Sequence, residues 1–260
     1  MAAVPGHNSA GPREHPAHVE PGAAAGHVAG MDPGERSVLG VLLALTVLSG
    51  LVDGVCYLGL GRVFTANMTG NVVVLGFAAA GAPGFSVTAC LTSLLVFLVG
   101  AIFGGRVSKH ISRRSRMLVT AVGLEAIFVA AASVVAFTAS TVATGWARYA
   151  TIAILAFAMG IRNAVIRRLA IADMTTTVLT MTLTGLAADS SLAGGGNQRA
   201  GRRVAAVLAM LIGAVTGAAL YLHRGAGLPL AISAGAAALT AIAAYASRSA
   251  RYLDKHSMGR

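Results

Sequence analysis

The sequence predicts an all-α, polytopic transmembrane helical bundle with six full spans plus two short or re-entrant segments, pseudo-duplicated into two halves. Three observations carry this. The 260 residues are 56% hydrophobic and only 11% charged, with a mean hydropathy of +0.74, whereas a soluble domain holds roughly 25% charged residues. Apolar runs recur at lengths that cross a hydrocarbon core of about 30 Å at a helical rise of 1.5 Å per residue. The 20 Lys and Arg, which give a net charge of +11, collect at the ends of those runs, where membrane orientation explains them better than nucleic-acid binding does.

Residues 1–36 are rich in Ala, Gly and Pro, hold His7, His15, His18 and His27, and lack periodicity, so a disordered N-terminal tail is expected. A signal peptide is not expected there, because the first apolar core begins only after Arg36. The transmembrane domain is expected over 37–247, in halves of about 38–140 and 146–246, with a basic tail at 248–260. Val38 to Leu60 forms a first span broken only by Thr46, Ser49 and Asp53. A polar cluster follows, then an apolar run that stops at Ala82-Pro83-Gly84, a strong chain break. Counted from Ala66 to Ala80, this segment reaches only about 22 Å as a helix, short for a crossing.

Ser86 to Gly104 is the next span and runs into the densest basic loop, with Arg106, Lys109, His110, Arg113, Arg114 and Arg116. Met117 to Ser140 follows, interrupted by Glu125; Trp146 and Tyr149 then suit a membrane interface. A fifth segment, about Arg148 to Gly160, leads into Arg162, Asn163, Arg167 and Arg168, and Leu169 to Ala187 carries Asp173 and a run of threonines. The last two spans are Val204 to Leu222 and Gly227 to Ala246.

Charge separates the topologies. If all eight stretches crossed, the arginines of 188–203 and the C-terminal tail would face away from the basic loop 105–116. If 66–80 and 169–187 dip in and return, only Arg62, Arg148 and Arg224 of the 20 Lys and Arg stand at the opposite end. The bias towards cytoplasmic basic loops favours six spans with both termini inside. A seven-span arrangement, with just one of the two segments crossing, stays open.

The polar segments echo each other. Thr65-Ala66-Asn67-Met68-Thr69-Gly70-Asn71 aligns without a gap with Ile171-Ala172-Asp173-Met174-Thr175-Thr176-Thr177, and the preceding helices carry Asp53 and Asn163. Inverted repeats with interrupted helices commonly build a central site open to each side in turn, so a transporter or channel for a small solute or ion is the leading expectation. Its path-lining or helix-bridging candidates are Asp53, Asn67, Thr69, Asn71, Asn163, Asp173, Thr176, Thr177 and Thr180. Each has a bland alternative. Asn67, Thr69 and Asn71 can cap the following helix and make hydrogen bonds between helices. The threonines, spaced by three or four, can serve helix packing, and the aspartates can pair with Arg62, Arg162, Arg167 or Arg168. If these residues only glue helices, the protein is a non-transporting membrane scaffold or sensor.

Enzyme signatures are missing: Gly59-Leu60-Gly61-Arg62 lacks the lysine and hydroxyl of a phosphate loop, and no His-Glu-x-x-His or paired-cysteine spacing occurs. An intramembrane hydrolase built on Asp53 and Asp173 is a minor alternative. No enzyme activity, cofactor or metal site is therefore expected, and Cys56 and Cys90 read as buried thiols.

With Gly50-Leu51-Val52-Asp53, Tyr57-Leu58-Gly59-Leu60-Gly61, Ala66-Asn67-Met68-Thr69-Gly70-Asn71, Met159-Gly160-Ile161-Arg162-Asn163-Ala164 and Arg167-Arg168-Leu169 in view, the chain resembles the YoaK family of bacterial membrane proteins over about residues 38–246. The second half departs from the motif, with Met174-Thr175-Thr176 where Met-Thr-Gly is the family pattern. The resemblance implies a helical, multi-pass protein of the bacterial plasma (inner) membrane. It implies neither a substrate nor a catalytic residue.

Overall fold

Each apolar run folds into a helix, and the polar interruptions decide where the helices stop. The computed structural model describes residues 33–139, 145–169, 179–197 and 199–246. Among them lie eight α-helices: α1 (Pro33–Gly59), α2 (Met68–Ala79), α3 (Val87–Lys109), α4 (Arg114–Thr138), α5 (Gly145–Leu169), α6 (Leu179–Ala188), α7 (Ala200–Arg224) and α8 (Gly227–Ala246). Six are long and apolar enough to cross a membrane; α2 and α6, with 12 and 10 residues, are not. They reach only about 18 and 15 Å.

Several boundaries differ from the sequence reading: α3 runs on to Lys109, so that Arg106 and Lys109 of the expected basic loop stand on its last turn, and α7 starts at Ala200 rather than Val204. α1 starts at Pro33, inside the stretch assigned to the tail, because proline is well placed in a first helical turn. α5 continues to Leu169 rather than ending near Gly160. Arg162 and Asn163 lower the local hydropathy without ending the helix, since neither breaks helical backbone.

Small residues set the pairing. Gly50 and Gly54 of α1 lie against Met210–Ala218 of α7, and Gly213 and Gly217 of α7 lie against Val47 and Leu51 of α1. A methyl group at Gly54 would sit 2.9 Å from the Ala214 carbonyl oxygen. The same device joins α3 to α5: Gly100 and Gly104 meet Phe157 and Ile161, while Gly160 meets Phe97 and Ala101. The residue numbers of the touching positions rise together along both partners, so each pair is parallel, and the four-residue spacing of small residues is what permits such backbone approach.

Other contacts run antiparallel. The Arg148 Nε near the start of α5 donates to the Leu60 carbonyl at the end of α1, at 2.8 Å, and Ser133 late in α4 donates to the Gly227 carbonyl at the start of α8, at 2.9 Å. These directions require that α2 and α6 do not cross. Most packed pairs also interchange when the halves are swapped: α1–α7 with α5–α3, α4–α5 with α8–α1, and α2–α3 with α6–α7, while α4–α8 maps on itself; α7–α8 has no counterpart of like extent between α3 and α4. Because α1 and α5 run oppositely, the duplication is inverted.

The apolar core falls into two layers. One gathers Cys56, Val63, Cys90, Leu155 and Leu230 towards the end holding Arg62, Arg148 and Arg224; the other gathers Leu42, Leu118, Val165 and Ala237 towards the basic end. Both cysteines are buried and free.

Candidate functional site

The first polar centre begins with the end of α1. After Gly59 the chain turns through Gly61, whose φ of 92° is a backbone region open to glycine, and Arg62, at φ 60°. That turn sends residues 63–67 back into the bundle beside α1. Asp53 receives them. Its Oδ1 accepts the backbone N–H of Thr65 at 2.7 Å and of Ala66 at 2.9 Å, and the Thr65 hydroxyl at 3.4 Å. Its Oδ2 accepts from the Asn67 side-chain amide at 2.5 Å. Asp53 is buried and stands six residues before the end of α1, so the loop dips about 9 Å below that end.

Asn71, one turn into α2, closes the loop a second time. Its Oδ1 accepts the Phe64 N–H at 2.8 Å and its Nδ2 donates to the Phe64 carbonyl at 2.6 Å, so the side chain replaces a neighbouring strand for that residue. The Nδ2 also reaches Ser93 Oγ on α3 at 3.0 Å, and the Ser93 hydroxyl donates to the Phe64 carbonyl at 2.6 Å. Chain that would otherwise be unpaired at this depth thus has partners, as a lipid environment requires.

A second polar centre lies between the two apolar layers. Arg162 of α5 is fully buried; its Nη1 donates to Glu125 Oε1 of α4 at 2.6 Å and its Nη2 to Ser49 Oγ of α1 at 2.6 Å. The Ser49 hydroxyl in turn donates to the Leu45 carbonyl at 2.9 Å. Three helices from both halves meet in one ion pair and its hydroxyl neighbour. Removing one partner from such a pair strands a buried charge, at a cost of about 3–5 kcal/mol.

The predicted residues separate accordingly. Asp53, Asn67 and Asn71 come together. Thr69 is exposed on α2, and Thr180 is exposed on α6. Asn163 is half-buried on α5 at the position matching Asp53 when Gly160 is set on Gly50. Asp173, Thr176 and Thr177 lie outside the described residues. Of the structural alternative, the capping part is corrected, since Asn67 stands before α2 without a side-chain capping bond because its amide is directed at Asp53, while Asn71 does bond between helices, to Ser93 of α3. The pairing of Asp53 with arginine is corrected too, since amides and a hydroxyl take its oxygens and Arg162 turns to Glu125. Sequence reasoning offered Arg162 only as a partner for the aspartates, noted Ser49 only as an interruption of its span, and did not single out Ser93. The usable signal was an acid and a base each interrupting an apolar span, which makes them natural partners.

A family model described as a protein of unknown function (DUF1275) matches residues 41–244, a range that holds both polar centres. The chain belongs to this family. It is also 37% identical over 158 residues to the UPF0700 transmembrane protein YoaK of Bacillus subtilis (strain 168), covering 60% of this chain and 68% of that protein. No solved structure matches. Family membership and six apolar spans together make this a multi-pass transmembrane protein in contact with a lipid bilayer.

Proposed function

We propose that the protein transports a small solute or ion across the bacterial inner membrane by rocking two glycine-packed helix pairs against each other. One unit is α1 with α7, the other α3 with α5, and α4 and α8 lie between them. The single observation behind this reading is that polar side chains join units which exchange under inversion. Arg162 reaches from α5 to Ser49 on α1, and Arg148 reaches from α5 to the carbonyl of Leu60. Inverted units around a polar centre at mid-depth are a common construction for alternating access. The basic end, with Arg106, Lys109, Arg113, Arg114 and Arg116, is then cytoplasmic.

A Leu60→Cys, Arg148→Cys pair in a Cys56→Ala, Cys90→Ala background tests the motion. In proteoliposomes screened with radiolabelled amino acids, sugars and inorganic ions, oxidation should stop uptake of the transported solute and reductant should restore it. Uptake unaffected by a formed disulfide rules out rocking, and no uptake of any compound leaves transport without support. Single cysteines at Gly84 and Ser112 test orientation: only the first should react with an impermeant maleimide in intact cells.

A non-transporting scaffold or sensor is the second reading. It is favoured by Asp53, whose two oxygens are occupied by donors from its own chain, as a purely architectural carboxylate would be.

A further inference from the structure

At the basic end, a cleft of about 380 Å³ opens between α3 and α5, lined by Ile102, Gly105, Arg106, Lys109, Ala164 and Arg168, with Ser108 at its wall. Arg106, Lys109 and Arg168 are exposed, and Arg168 Nη1 lies 3.5 Å from the buried Ser108 hydroxyl. Among the described residues no carboxylate lines the cleft. The four described carboxylates are engaged elsewhere: Glu35 with Arg202, Glu125 with Arg162, Asp189 with Arg203, and Asp53 with its loop. Three cations thus converge without an acidic partner among the described residues.

The apolar part of the wall identifies the kind of anion. Ile102 is 54% exposed on the outer surface of α3, one turn or about 6 Å below Arg106. Gly105 leaves room above it, since a Cβ there would meet nothing within 4 Å. The cleft is therefore cationic towards the membrane surface and apolar towards the hydrocarbon. A free phosphate would use only the upper half. We propose that it binds the headgroup of an anionic phospholipid, with the phosphate held by Arg106, Lys109 and Arg168 and the glycerol and upper acyl chain against Ile102 and Ala164.

The test uses the purified full chain in a neutral detergent, titrated with short-chain phosphatidylglycerol, short-chain phosphatidylcholine and glycerol 3-phosphate by native mass spectrometry. Phosphatidylglycerol should bind, and Arg106→Gln with Arg168→Gln should weaken it about thirtyfold, roughly one and a half decades for the two charges removed. Gly105→Leu should abolish binding with every charge retained. Arg113→Gln with Arg116→Gln, removing equal charge outside the cleft, should change affinity less than threefold. Equal losses in both double variants would mean that bulk charge and not the cleft attracts lipid, which overturns the site. Unchanged binding in Gly105→Leu also overturns it. Glycerol 3-phosphate binding as tightly as the lipid would assign the cleft to a soluble phosphate ester instead.

Discussion

α2 and α6 hold corresponding places in the two halves, each lying along the second spanning helix of its own half, yet they are held differently. α2 buries Asn71 and Val74, and its approach is fastened by Asp53, Asn71 and Ser93. α6 buries none of its residues. Among the described residues Arg203 of α7 fastens it, donating to the Gly185 carbonyl at 2.5 Å and to Asp189 at 2.6 Å, with the Asp189 side chain 53% exposed. Repeat architecture therefore places a short helix in each half, but among the described residues only α2 is fastened by buried polar partners.

The contrast breaks most severely at Asp53. Asp53→Ala leaves the N–H groups of Thr65 and Ala66 and the Asn67 amide without their acceptor, and should lower stability by about 4 kcal/mol, the sum expected for several buried donors. Unfolding in mixed detergent and SDS measures it. Asp53→Asn should cost less by itself, since its oxygen still accepts from Thr65 and Ala66 and the Asn67 amide can turn over to accept from the new N–H, leaving only the charge-assisted bond lost; combining it with Asn67→Asp restores a carboxylate–amide bond and should recover most of the loss. A double variant no better than Asp53→Asn would show that the Asp53–Asn67 bond contributes little.

Asn71→Ala should follow at about 2 kcal/mol, since Phe64 loses a donor and an acceptor while Ser93 still reaches its carbonyl. Hydrogen exchange should localise that change to residues 63–72. The smallest effect belongs to Arg203→Gln, at less than about 1 kcal/mol because its carboxylate partner is half in solvent. Its trace should be faster exchange in α6 with α2 unchanged. Comparable slowing of exchange in α2 and α6 of the unmodified protein would contradict the contrast itself.

The spans were legible because apolar length and basic ends are direct consequences of the bilayer. The short reach of residues 66–80 was legible for the same reason, as was Asp53 as a polar residue needing partners inside an apolar span. Its partners were not. Backbone N–H groups of Thr65 and Ala66 carry no signature in a sequence, and whether they face a carboxylate depends on the turn at Gly61 and Arg62. Arg162 was hidden for another reason: beside Asn163 and ahead of Arg167 and Arg168 it reads as the start of an interfacial cluster, while α5 actually continues to Leu169. The glycines announced close packing, but nothing local says that α1 meets α7 rather than its sequence neighbours.

That long-range meeting has a bearing on how the protein is made. Gly50 and Gly54 are synthesised well before Gly213 and Gly217, an interval of about ten seconds at ordinary ribosomal rates. During it, α1 resides in the bilayer with its glycine face against lipid or against whatever insertion machinery shelters it. α3 waits more briefly for α5. The newborn first half is consequently an assembly intermediate, completed only when the ribosome delivers the helices that seal both grooves. Substitutions at Gly213 or Gly217 would thus act on the yield of finished protein, through degradation of a chain that has inserted and cannot close.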